Sequence, residues 1–320
     1  MVKSSNRCPT LADLPPPPAG KSGWPWTEAT ELASDLEPGA IWPRISIVTP
    51  SYNQGRFIEE TIRSVLLQGY SHLEYIIIDG GSTDDSAEII RKYEPWLSYW
   101  VTESDLGQSH AINKGFARSS GEIMAWLNSD DVYLEGTLTK IANSFRTNRD
   151  AYLVHGDVVY IDKDSARLPL GIYRSKETSL LTKLQYWRGW DLPQPAVFFK
   201  RGLYLQLGEL DQTLQYALDY DYFIRAALHY RFHRLPDLLA TYRLHEFSKT
   251  GVGESQKALF HAECKQVVRR YVKTNTALYW KWRLRYALRG PLGFYYQHRR
   301  TGRRVLKALL ARAGAARRRR

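Results

Sequence analysis

The chain has 320 residues, 43% hydrophobic and 24% charged, with a mean hydropathy of −0.43, and no apolar run offers a membrane-crossing helix. Only two cysteines occur, Cys8 and Cys264, so neither a disulfide framework nor a cysteine-based zinc site is indicated, and a reducing cytoplasm is the expected setting. The net charge of +12 is uneven: residues 265–320 hold eighteen Lys or Arg and no Asp or Glu, whereas the remainder holds 27 basic and 33 acidic residues. The body is therefore acidic, which argues against nucleic acid as its ligand and moves any polyanionic partner to the tail.

In chain order, residues 1–43 form a Pro-rich extension without the charged-then-apolar pattern of a signal peptide. The stretch Leu14-Pro15-Pro16-Pro17-Pro18-Ala19-Gly20 reads as an extended linker, so this region is expected to be weakly ordered. Ile45-Ser46-Ile47-Val48-Thr49-Pro50 is a β-branched run ending at a proline, a buried strand. Ile58, Ile62, Val65 and Leu66 then recur at helical spacing between Arg56 and Gln68. Glu74–Ile78 is a second strand halted by Asp79-Gly80-Gly81, and Ser82 with Asp85 reads as a capping box for a helix through Ile89 and Ile90. A strand at Tyr99-Trp100-Val101, a helix over 108–118 and a strand at Glu122–Leu127 complete the alternation. Such alternation predicts an α/β fold with a mostly parallel sheet flanked by helices. Past residue 150 the rhythm changes: strands are expected at Tyr152–Val154, Val158–Ile161 and Ala196–Phe199, and a helix at Tyr220–Tyr230 with Asp219 at its start.

In open parallel sheets the ligand sits outside the carboxyl ends of the strands. Three such ends carry Thr49-Pro50-Ser51-Tyr52-Asn53, Asp79-Gly80-Gly81-Ser82 and Asn128-Ser129-Asp130-Asp131, residue types that bind hydroxyls, phosphates and a metal. Asp130 and Asp131 suit a hard divalent cation, Mg²⁺ or Mn²⁺, whose shell substrate phosphates complete; paired aspartates also cap helices and make turns. Asp79-Gly80 is a common turn as well as a carboxylate able to hydrogen-bond a base or ribose, and Tyr52 can stack on a base or roof the core. Neither a GxGxxG dinucleotide fingerprint nor a GxxxxGK[ST] phosphate loop is present, which argues against dehydrogenases and ordinary ATPases.

Four segments in order, Thr49–Asn53, Ile78–Asp84, Leu127–Asp131 and Asp219-Tyr220-Asp221-Tyr222-Phe223 with Arg225, resemble family-2 glycosyltransferases of the GT-A fold over residues 44–250. The resemblance implies that Pro50, Tyr52 and Asp79 contact the nucleotide, with Asp79 reading a uracil edge. It places Asp105, Gln108, Asn113 and Lys114 beside the nucleotide site. Asp130 and Asp131 match the metal motif, one on the metal and one on the ribose, and Asp219 matches the general base. Leu218 stands where the family usually has an acidic residue, which leaves Asp221 as the alternative base. Tyr242-Arg243-Leu244-His245 resembles the family's late Tyr-Arg-x-His segment and makes His245 a metal ligand or diphosphate contact. Gln194, in Gln194–Phe199, falls where such enzymes line the acceptor pocket, and Trp190 lies in the aromatic stretch just before it, whose rings suit sugar stacking or core packing alike.

The implied reaction takes a nucleoside-diphosphate sugar, UDP-linked on this reading, through an oxocarbenium-like transition state to a hydroxyl acceptor, with inversion. The metal offsets charge on the departing diphosphate and Asp219 takes the acceptor proton. The acceptor is expected to be a saccharide or lipid-linked sugar of cell-envelope polysaccharide or glycolipid synthesis. Residues 251–320 form a helical, basic tail in which Tyr279–Tyr286 interleaves aromatics with cations, fitting an anionic membrane on its cytoplasmic face. A solubilising tail is the plainer alternative. Two competing readings are a catalytically inactive nucleotide-sugar binding protein, suggested by Leu218, and a nucleic-acid binder recruited through the tail.

Overall fold

The computed structural model describes residues 8–31, 42–185, 192–246, 254–272 and 276–287. The first strand, β1 (Ile45–Ser51), is buried along its whole length and lies at the centre of the sheet. It leads into α1 (Ile58–Leu66), whose Ile58, Ile62 and Val65 are fully buried as the helical spacing requires. The unit repeats through β2 (Leu73–Asp79), α2 (Ser86–Lys92), β3 (Tyr99–Thr102), α3 (Gln108–Arg118) and β4 (Ile123–Trp126). β1 pairs in parallel with β2 and β4, and β2 with β3, giving the order β3-β2-β1-β4. The strand order reverses between β1 and β4, the place where ligands bind in open α/β sheets. Tight helix-to-sheet contact is visible at Gly115 of α3, where a Cβ would lie 2.3 Å from Val48 Cγ1.

After α4 (Thr137–Thr147) the sheet becomes mixed. β5 (Leu153–Ile161) pairs antiparallel with β6 (Arg167–Tyr173) and with β7 (Val197–Lys200), and β7 joins it to β4. The long β8 (Phe232–Arg243) runs parallel to β5. Between β6 and β7 comes α5 (Leu180–Lys183), and α6 (Arg201–Leu207) and α7 (Leu218–His229) precede β8; α8 (Glu254–Val272) and α9 (Thr276–Ala287) follow it.

Three expectations change. The two short strands at 152–161 are one strand, because His155-Gly156-Asp157 is carried through a register shift against β8 in which Leu239 packs over Gly156. No capping box forms before α2: the Ser82 hydroxyl instead donates to Asp79 Oδ1 at 2.5 Å, and the cap residue Asp85 makes no side-chain cap bond. Residues 8–31 are packed rather than loose, because Arg63 of α1 is buried and needs acceptors. Its guanidinium donates to the carbonyls of Pro15 (2.8 Å), Pro25 (3.0 Å) and Trp26 (2.8 Å) and lies over the Trp26 ring. A buried cation left without these partners would cost several kcal/mol, about 3–5.

The chain divides into two units, residues 1–178 with 191–264, and residues 179–190 with 265–320. The first holds the sheet. In the second, Trp282 of α9 is buried and its indole N–H donates to the carbonyl of Leu184 at 3.2 Å. Both cysteines are buried and free.

Candidate active site

The loops after β1 and β2 are stitched together. Gly80 donates its N–H to the carbonyl of Ser51 at 2.8 Å, Asn53 N–H donates to Ser82 Oγ at 2.8 Å, and Thr83 N–H donates to Asn53 Oδ1 at 2.9 Å. Asn53 takes φ +52°, a left-handed conformation that asparagine tolerates, directly after Tyr52, which is 59% exposed just past the end of β1. Tyr52 is thus free to stack. Asp79, by contrast, is fully buried; its carboxylate accepts from Ser82 N–H (2.9 Å), Ser82 Oγ (2.5 Å) and Thr102 Oγ1 (2.6 Å). In this conformation it ties β2 to β3 instead of facing solvent.

The β4 end carries the two aspartates on a loop with every carbonyl from 129 to 134 engaged. Thr61 Oγ1 of α1 contacts the carbonyls of Ser129 (3.0 Å) and Asp131 (2.8 Å), and Arg243 Nε donates to that of Asp130 (2.6 Å). Thr241 N–H serves Val132 (2.7 Å), Trp24 Nε1 serves Tyr133 (2.8 Å) and Gln68 Nε2 serves Leu134 (3.0 Å). On this fixed frame Asp131 is buried, its Oδ1 accepting from Arg243 N–H at 2.9 Å. Burial, and then the neighbouring Asp130 charge, push the Asp131 carboxyl well above the usual carboxylate range, against the opposing effects of Arg243 and Asn128. The Asp130 side chain keeps 19% exposure and its Oδ2 lies 3.0 Å from His245 Nε2, with the His245 ring packed 4.7 Å from that of Phe57. The structure thus brings His245 against the acidic motif.

Arg243 is the residue that the motif reading passed over. Its side chain is fully buried and donates through Nη2 to Glu60 (3.0 Å) and through Nη1 to Ser165 Oγ (2.9 Å) and the carbonyl of Asp162 (3.0 Å). It joins α1, the β5–β6 turn and the Asp130 loop. The available signal was an arginine two residues before a histidine at a strand end.

A chain of amides crosses the floor of the mouth. Gln108 Nε2 donates to Asn128 Oδ1 (2.7 Å), Asn128 Nδ2 to Gln194 Oε1 (3.1 Å), and Gln194 Nε2 to the carbonyl of Trp126 (2.7 Å). Gln108 and Gln194 are thus brought to the same loop as the aspartates. Asp105 is half-buried, its Oδ1 accepting from Gly107 N–H at 2.7 Å. Asn113 and Lys114 are employed elsewhere. Asn113 is buried with both ends of its amide on the backbone of Leu210, each at 2.9 Å, and Lys114 pairs with Glu103. In this conformation these contacts tie α3 to the backbone of Leu210 and to Glu103. Trp190 lies outside the described residues.

Asp219 is half-buried in the first turn of α7, its Oδ1 accepting from Tyr220 N–H at 2.7 Å. The approach to it is held by Glu263 of α8, whose carboxylate accepts the N–H groups of Gln215 (3.1 Å), Tyr216 (2.8 Å) and Ala217 (2.8 Å). Asp221, the alternative base, is buried and bonded to Arg225 Nε at 2.9 Å, so its charge is already committed.

A family model, Glycosyl transferase family 2, matches residues 46–208, more than half of the chain. The chain belongs to that family. This family-2 glycosyltransferase is 28% identical over 217 residues to an uncharacterized glycosyltransferase of Mycobacterium tuberculosis, covering 67% of this chain and 79% of that protein. An uncharacterized glycosyltransferase of Nostoc is 35% identical over 115 residues, which span 35% of this chain and only 36% of the relative. TuaG of Bacillus subtilis, whose name assigns it to teichuronic acid biosynthesis, is 39% identical over 101 residues, 31% of this chain and 40% of its own. Among solved structures, Staphylococcus aureus TarS 1–349 in complex with UDP-GlcNAc superimposes with a TM-score of 0.54 at 17% identity, covering 71% of each chain. The complex of the same protein with UDP gives 0.53 at 18%, covering 70% of this chain and 64% of that one. The fold is GT-A, with the transferase's strand-end motifs, Asp130-Asp131, His245 and the Gln108–Gln194 amides, gathered at the β1/β4 mouth.

Proposed function

We propose that this family-2 transferase moves a sugar from a nucleoside-diphosphate donor, a UDP-hexose, to a hydroxyl of a cell-envelope saccharide or lipid-linked acceptor, with inversion. The observation that carries the reading is the Asp130–Asp131 pair on its pinned loop, one carboxylate partly open beside His245 and one buried. A relative named for teichuronic acid biosynthesis and the UDP and UDP-GlcNAc complexes of TarS support the acceptor and donor classes. A saccharide acceptor or a lipid-linked one at the cytoplasmic face of the membrane fits equally well; among the described residues no helix is long and apolar enough to cross a bilayer.

A divalent cation fits the residues present. Among the described residues no three His, Cys, Asp or Glu side chains form a ready-made cage, yet Mg²⁺ at a phosphate site characteristically rests on one or two carboxylates with substrate phosphates completing its shell. Burial first, and then the Asp130 charge beside it, disfavour ionisation of Asp131, and a cation held between the two carboxylates would offset both effects. Asp130 and Asp131 would hold Mg²⁺ or Mn²⁺, with His245 able to join, and the ion would neutralise charge on the leaving diphosphate.

The chain's own residues do the remainder. Tyr52 offers its exposed ring to the base, and Pro50 shapes the β1 end beneath it. Gln108 and Gln194, oriented through Asn128, set the polar floor for the donor and acceptor hydroxyls. Asp219 removes the acceptor proton as the anomeric bond breaks, and Glu263 keeps the turn that carries it in place.

The test is paired: titration of UDP with and without Mn²⁺ into the wild type and into Asp130→Ala/Asp131→Ala, and turnover of UDP-sugars by Asp219→Asn. The expected result is metal-dependent UDP affinity lost in the double variant, with Asp219→Asn still binding UDP but turning over at least ~10³-fold more slowly. UDP binding that ignores both metal and the double substitution would overturn the site.

A further inference from the structure

We propose that α9 is a docking element for an anionic lipid bilayer, laid in the interface with its Trp280–Leu284 edge toward the acyl chains. Helix geometry advances about 100° per residue, so Trp280 and Leu284 share one edge while Trp282 points to the opposite side. The structure uses those sides differently. Trp282 is buried, its indole donating to the carbonyl of Leu184, which anchors α9 on the segment of α5. Trp280 is 58% exposed and Leu284 is 62% exposed, two large apolar side chains standing together in solvent.

Cations flank this edge on both sides. Lys281 falls about 100° to one side of Trp280 and Arg283 about 60° to the other, and both are exposed. Arg283 is fixed there: its Nη1 donates to the Tyr279 hydroxyl at 2.8 Å, and its guanidinium lies over the Tyr279 and Trp280 rings at 5.8 and 5.4 Å. A narrow apolar edge bordered by Lys and Arg is the arrangement by which an amphipathic helix lies in a headgroup layer, with tryptophan at the boundary.

Charge selects the partner. Every residue from 265 to 320 is neutral or basic, with eighteen Lys or Arg, so an acidic surface is attracted along the whole region and a basic or neutral one is not. Nucleic acid shares that charge, but Leu284 offers a base neither a ring to stack on nor a hydrogen bond, whereas it gains by leaving water for acyl chain. The transferase reading supplies the purpose, access to a membrane-borne acceptor, and the binding is measurable without it.

The experiment is co-sedimentation of the full chain with vesicles of phosphatidylcholine alone and of phosphatidylcholine mixed with phosphatidylglycerol. The wild type is expected to pellet with the mixed vesicles only. Trp280→Ser/Leu284→Ser, which keeps every charge, should lose roughly tenfold or more in partition, since two apolar side chains no longer insert. Lys281→Ser/Arg283→Ser should weaken binding and make what remains less sensitive to salt. Both sites are exposed, so an unchanged melting temperature confirms the fold of each variant. Equal partition of wild type and Trp280→Ser/Leu284→Ser, or capture by a single-stranded oligonucleotide with no pelleting on mixed vesicles, overturns the proposal. UDP affinity, read in the same samples, stays at the wild-type value in both variants; its absence from the wild type sinks the donor site and leaves the docking result standing.

Discussion

Replacing Arg243 with methionine removes the most heavily used side chain near the site while keeping much of its length. Arg243 has no solvent exposure, and its partner Glu60 has a side chain only 8% exposed. Deleting one member of such a pair leaves a buried charge, which costs about 3–5 kcal/mol. Ser165 Oγ still donates to both Glu60 oxygens at 2.8 Å, which places the expected loss near the lower end, about 3 kcal/mol. That is a large share of the ~5–15 kcal/mol that holds a domain folded. Urea unfolding should therefore show a clear fall in midpoint for Arg243→Met. Adding Glu60→Gln to it neutralises the stranded charge and should recover roughly 1–2 kcal/mol. Because the Arg243 side chain also holds the Asp130 carbonyl, metal-dependent UDP affinity should fall in variants that remain folded. A loss under ~1 kcal/mol, or no recovery on adding Glu60→Gln, would refute the claim that this pair braces the loop.

Glu263→Ala removes the acceptor shared by three backbone N–H groups ahead of Asp219; kcat should drop severalfold with UDP affinity retained, and Glu263→Gln should restore part of it, whereas parallel losses of kcat and UDP affinity would point to general unfolding. Glu74 governs part of the acid limb. Burial raises its carboxyl, but the Ser120 N–H, the Ser46 and Ser120 hydroxyls and Arg44 outweigh that and hold it below its ordinary value. A depressed carboxyl contributes stability that is present above the unfolded value of about 4.3 and is lost as pH falls through the folded one. Melting temperature against pH should thus fall below about pH 5 in the wild type and more shallowly in Glu74→Gln; identical slopes would remove Glu74 from the account. Trp24→Phe deletes the indole bond to the Tyr133 carbonyl and should cost about 0.5–1.5 kcal/mol in urea unfolding, with no change meaning that the N-terminal segment does not brace the loop.

The first half of the sheet was legible because its strands are buried on both faces. Such strands must be apolar throughout, as Ile76-Ile77-Ile78 is, and they end where polar residues begin. β6 and β8 escaped for the converse reason. β6 is an edge strand with Pro169 and Gly171 in it and alternating exposure, and edges tolerate both. β8 contains Arg234, Pro236 and Asp237, residue types that strands disfavour, and Arg234 is bonded to the buried Asp157 across the sheet. A pairing 77 residues apart in sequence leaves no local pattern.

The site divides along the same line. Motif matching finds residues whose type the proposed chemistry calls for, so Asp130, Asp131, Asp219 and His245 stand out as candidates one by one, and three of them lie on one loop or against it. It does not find residues whose task is to hold another residue's backbone. Thr61, Gln68, Trp24, Thr241 and Arg243 all bond to carbonyls between 129 and 134, each from more than 60 residues away in the chain. Asn113 was placed beside the nucleotide by the resemblance of its segment, and only the fold reveals that each end of its amide also holds the backbone of Leu210. A loop that must keep two carboxylates together against their repulsion needs its backbone fixed from outside. Those fixing residues are free to be any donor that reaches, so their identities carry little chemical signature although their positions set where the two aspartates stand.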